Sequence, residues 1–130
     1  MFKWGVKRAR RDAETAGWVD SQRASTYAAG GQSLLILQVY QRVKRGAKAY
    51  VYLDDQPWKR DAFFWDTSVT AGTMVLVRTA TGWGPHTNRN DVLWIGSKHQ
   101  PAADEILAVI SAGDLKRWNR HNRRTARNSG

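Results

Sequence analysis

Hydrophobic residues concentrate in the middle of the chain, in short runs where apolar and polar positions alternate with the two-residue period of a strand. Leu35, Leu37, Val39 and Val43 share one face of an extended segment, and the unbroken apolar run over residues 34–37 predicts burial on both sides at its start. Ile36, Val39, Tyr40 and Val43 fit helical spacing as well. The strand is preferred because Lys44-Arg45-Gly46-Ala47 has the composition of a hairpin connection into residues 49–53, where Val51 and Leu53 alternate with Tyr50 and Tyr52. Asp54-Asp55-Gln56-Pro57 reads as a turn. Ala62-Phe63-Phe64-Trp65, a turn near Ala71-Gly72, and the runs over residues 73–79 and 91–96 complete the pattern. Five strands over residues 33–97 predict an α+β fold built on a small antiparallel β-barrel or rolled sheet, with an N-terminal helical segment and two C-terminal helices.

Both ends change period. Residues 6–16 are helix formers with little apolar face; Gly17-Trp18 is expected to break that helix, Asp20 to cap a short second one over residues 21–29, and Gly30-Gly31 to stop it. Toward the other end, Pro101 suits a first helical position, and Asp104 and Glu105 complement the dipole. Ile106, Leu107, Val109 and Ile110 then supply an apolar stripe that predicts a helix over residues 101–112, closed by Gly113. Asp114 is expected to cap a last helix anchored by Leu115 and Trp118, beyond which residues 120–130 bury almost nothing and read as a disordered tail. The organisation expected is a basic arm over residues 1–17, one compact domain over 18–119 and a basic tail over 120–130.

Charge sharpens this division. The first eleven residues carry five cations and no acid, and the last sixteen carry six cations and none, so the 103 residues between them sum to −1 in a chain whose formal net charge is +10. A neutral body with two basic ends predicts arms that reach for a polyanion or an acidic neighbour. Arginine outnumbers lysine fourteen to seven, and its planar fork favours phosphate. The candidate contact residues are Lys3, Lys7, Arg8, Arg10, Arg11, Lys116, Arg117, Arg120, Arg123, Arg124 and Arg127.

The remaining chemistry is sparse. With no cysteine there is neither a disulfide nor a thiolate metal site, and no apolar run approaches the ~18 residues of a spanning helix. No membrane partner and no secretion signal are expected, which points to an intracellular (cytoplasmic) or virion setting. Among the seven tryptophans, Trp65 and Trp94 sit in strand-like runs and read as core or rim anchors. The segment over residues 81–90 crowds Trp83, His86, Asn88, Arg89 and Asn90 into one loop with Gly82, Gly84 and Pro85, the makings of a recognition loop that stacks a base and hydrogen-bonds it. His86, His99 and His121 match no ligand spacing, and Asp54, Asp55, Asp61 and Asp66 lie beside Lys59 and Arg60 as ordinary ion-pair partners. The runs Met74-Val75-Leu76-Val77 and Leu93-Trp94-Ile95-Gly96-Ser97 faintly resemble the paired strands of GIY-YIG nucleases, but the strand tyrosines, helix arginine and downstream glutamate of that family have no counterpart. No nucleophile, phosphate-binding glycine loop or dinucleotide fingerprint is present, so the expectation is a non-enzymatic protein without cofactor or metal.

Two functional readings fit. In one, an oligomeric β-barrel module is built into a larger assembly, such as a phage-type virion or nucleoprotein particle, and its basic arms contact neighbouring subunits or nucleic acid. In the other, a free module binds DNA or RNA, with arms on phosphates and the Trp83 loop on bases. The first is preferred at this level because no aromatic RNP pair or GXXG loop is visible.

Overall fold

A computed structural model of the chain describes residues 2–65, 68–78, 92–95 and 106–129. Among these residues it is α+β, with a curled, half-barrel sheet and two helices. The elements are α1 (Phe2–Ala28), β1 (Gln32–Val43), β2 (Gly46–Leu53), β3 (Arg60–Trp65), β4 (Met74–Val77), β5 (Val92–Ile95), β6 (Ile106–Ile110) and α2 (Ala112–Ser129). Among the described residues, six strands lie in the order β5-β3-β2-β1-β4-β6. Every pairing is antiparallel except β3 with β5, which is parallel, so the sheet is mixed rather than wholly antiparallel.

The hairpin forms as its composition predicts, with Val43 opposite Gly46 across a two-residue turn at Lys44 and Arg45. Burial on β1 does not follow the expected face. Leu34 and Ile36 point into the core, a bulge between Ile36 and Gln38 resets the register so that Val39 rejoins them, and a second bulge follows between Val39 and Gln41. Each bulge adds a residue to one strand only, which turns a spacing of two into three and explains why this strand also carries a helix-like pattern. Val43, expected inside, is exposed.

The inner face of the curl holds the larger core: Leu34, Ile36, Ala47, Ala49, Val51, Phe64, Val75, Val77, Leu93 and Ile95 pack together from five strands. On the opposite face, Met74, Leu76 and Ile110 meet Val19 of α1 and Leu115 of α2, so both helices are seated over the β1, β4 and β6 half of the sheet.

Three expectations for the ends are corrected. The helix α1 runs unbroken through Gly17, which is exposed with nothing within 4 Å of where a β-carbon would stand; the glycine weakens the helix without any neighbour requiring a break. Asp20 is therefore mid-helix, and the stop comes at Gly30, whose φ of 77° lets the Gly30 and Gly31 amides donate to the carbonyls of Tyr27 and Thr26. Within the span expected as a helix over residues 101–112, residues 106–110 are the strand β6, paired with β4. Four of those five residues are Ile, Leu or Val, and hydrogen bonds to a strand edge outweigh an ambiguous apolar stripe. Finally, Gly113 lies inside α2, and Ser111, not Asp114, caps it: the Ser111 hydroxyl accepts the Asp114 amide at 3.1 Å. That helix continues to Ser129 through the residues expected as a disordered tail.

Candidate nucleic-acid interface

The tail is helical because it has something to pack on. In α1, Ala9, Asp12, Ala16, Val19, Arg23 and Thr26 recur at alternating steps of three and four, one stripe of small and polar residues that is buried or half-buried. The two helices run antiparallel along it: Asp12 meets Arg120 and Arg124, Asp20 meets Trp118, and Val19 meets Leu115.

Asp12 is the centre of the contact. Its side chain is 1% exposed, and the Arg120 guanidinium grips it with both arms of its fork, Nη2 to Oδ1 and Nε to Oδ2, each at 3.0 Å. Arg124 Nη1 donates to Oδ2 at 2.9 Å. The Arg120 hydrogen bonds, aided by Arg124 and working against burial, hold the Asp12 carboxyl down at about 2 from an ordinary 3.8.

Two turns further along α1, Trp118 Nε1 donates to Asp20 Oδ1 at 2.9 Å, and the Arg23 guanidinium lies 5.2 Å from the Trp118 ring centroid. Arg23 also donates to the Tyr27 hydroxyl at 3.0 Å and to Asp55 Oδ1 at 3.3 Å, and Tyr27 shares a hydrogen bond with Ser33 Oγ. This chain of contacts fixes the helix pair on the sheet. It also pairs Asp55 with Arg23 instead of its sequence neighbours Lys59 and Arg60.

The antiparallel packing brings both basic ends to one place. Lys7, Arg8 and Arg11 of α1 and Arg117 and Arg120 of α2 line an open cleft of about 330 Å³ with Asp12 at its wall. Arg10, Lys116, Arg123 and Arg127 are exposed on the same two helix halves, and Lys3 lies on the first turns of α1. Residues 1–12 and 115–130 together hold eleven cations and one acid, Asp12. Two of the candidate contacts, Arg120 and Arg124, are thus engaged in holding the helices together, and Arg117 is shared with Asp114 at 3.1 Å. Asp12, which sequence reasoning passed over as the first acid of the neutral body, is the residue that allows two like-charged helices to pack. Its place in the alternating stripe was the available signal.

Trp83, His86, Asn88, Arg89 and Asn90 lie outside the described residues, as do Asp66 and His99. Trp65 and Trp94 are half-buried on the outer face of the sheet rather than in its core. Among the described residues, no cluster of three or more His, Asp or Glu side chains is placed to hold a metal ion, and no helix is long and apolar enough to cross a membrane. Comparison with protein-family models, curated proteins and solved structures finds no match for this chain.

Proposed function

We propose that this protein is a non-enzymatic nucleic-acid-binding protein whose phosphate-contacting surface is the cationic end of the α1–α2 pair. The observation that carries this is the packing of two basic helix halves against each other across one buried carboxylate. Such an arrangement concentrates like charge at a cost, and the amino-terminal end of α1 adds the positive pole of its helix dipole with no acid in the first turn to offset it. A run of phosphates relieves that repulsion, and arginine forks suit phosphate geometry. The cationic stretch of α1 from Lys3 to Arg11 is about 12 Å long at helical rise, enough to touch several phosphates.

The test is fluorescence anisotropy with a labelled oligonucleotide across a salt series. Lys7→Ala, Arg11→Ala, Arg123→Ala and Arg127→Ala spare the Asp12 hydrogen bonds. Removing a cation that neutralises one phosphate should lower the slope of log affinity against log salt by about 1. Lys44→Ala, at the hairpin turn, serves as the control and should change nothing. A slope that ignores the helix cations sinks the proposal.

A second reading, a subunit of an oligomeric assembly, draws on β6. It is the last strand in the sheet order, and its Leu107 and Val109 are exposed. A stable monomer at micromolar concentration counts against it.

A further inference from the structure

A different chemistry lies on the outer face of the sheet, beyond the helices. They sit against β1, β4 and β6, so the outward side chains of β2, β3 and β5 occupy the other half of that face. Strand β2 alternates strictly: Ala47, Ala49, Val51 and Leu53 are buried inward, leaving Lys48, Tyr50 and Tyr52 outward. By the same alternation Phe63 and Trp65 of β3 and Trp94 of β5 face outward, since Ala62, Phe64, Leu93 and Ile95 fill the core.

These rings are gathered. The Trp65 and Trp94 centroids are 6.0 Å apart with planes inclined by 29°, and Phe63 lies 4.7 Å from Trp65 and 5.3 Å from Trp94. Tyr50, diagonal to Phe63 in the ladder, stacks on Tyr40 of β1 at 4.5 Å, while the Tyr40 hydroxyl donates to Asp61 Oδ1 at 2.6 Å. Cations are interleaved with the rings. Lys48 is the ladder partner of Phe63, and the Lys59 ammonium stands 4.2 Å from the Tyr50 ring centroid.

The solvent side of a sheet whose other face already forms the core is ordinarily polar. Here it carries half-buried tryptophans and tyrosines with lysines between them, the combination that stacks bases and meets phosphates. A duplex hides its base faces inside the stack, so the complementary ligand is a single strand. We propose that the outer face of β2, β3 and β5 binds unpaired bases of single-stranded nucleic acid, stacking them on Tyr50, Trp65 and Trp94 with Lys48 and Lys59 beside the phosphates. The site is separate from the cationic cleft and takes the bases, which the cleft does not.

Bases are separated from phosphates by comparing a labelled thymidine oligonucleotide with an abasic one of equal length, both titrated with the full chain at the same salt. The thymidine strand should bind at least about tenfold more tightly, as stacking of one or more bases requires. Tyr50→Ala and Trp94→Ala should each remove about tenfold of that preference, and Trp94→Phe should keep most of it. Equal affinity for the two strands overturns the proposal, whatever the variants do, and so does a preference that survives both alanine substitutions. If Trp94→Ala does not fold, the comparison on the unsubstituted protein still decides. A strong thymidine preference with a salt slope indifferent to the helix cations would keep this inference and sink the cleft; the reverse result would do the opposite.

Discussion

Asp12 shows how much one side chain can carry. Asp12→Asn keeps the shape, but its amide nitrogen cannot accept, so at least one of the three arginine hydrogen bonds becomes a donor–donor contact and the others lose their charge; it should cost about 2 kcal/mol at neutral pH, read from urea unfolding. The sign of its pH dependence follows from the lowered carboxyl. In the folded chain Asp12 keeps its charge down to about 2, whereas the unfolded chain takes up a proton near 3.8. Its contribution is therefore complete above the unfolded value and is lost as the pH falls from 3.8 through about 2. Unfolding midpoints measured through that window should fall less steeply for Asp12→Asn than for the parent. Gly46 is a second such position for a steric reason: a β-carbon there would collide with the carbonyl oxygen of Phe64 and press on the Phe63 ring. Gly46→Ala should destabilise the sheet by about 1–3 kcal/mol, seen as a lower denaturant midpoint.

Among the elements, the helices were legible as helix formers, but their limits were not. Gly17 lowers local propensity, yet Asp12 and Ala16 before it and Val19 after it lie on one buried stripe, so packing on both sides carries the helix across. Because the site of a β-carbon at Gly17 is open, Gly17→Ala should raise stability by about 0.5–1 kcal/mol in the same unfolding experiment, the reverse of Gly46→Ala. The β1–β2 hairpin was readable from its turn and from the alternation in β2, and the strands β3, β4 and β5 from their apolar runs. The strand β6 was not, since its five apolar-rich residues satisfy either period and only the free edge of β4 decides between them.

Across the molecule, the α+β class, the central run of strands and the confinement of net charge to the two ends follow from the chain alone, because composition, local period and charge position exist before it folds. The cations of the candidate surface could be named at that level too. Folding adds that the ends are one surface: Arg120 reaches Asp12 across 108 positions, and the antiparallel course of α1 and α2 turns two arms into a single cleft. The aromatic half of the outer sheet face has the same origin. Tyr40, Tyr50, Phe63, Trp65 and Trp94 come from four strands, and no local pattern says that bulges in β1 and a parallel pairing of β3 with β5 will bring their rings together. Periodicity assigns a side chain to a face; which faces meet depends on strand order and register, and those are settled by the packing of the whole chain at once.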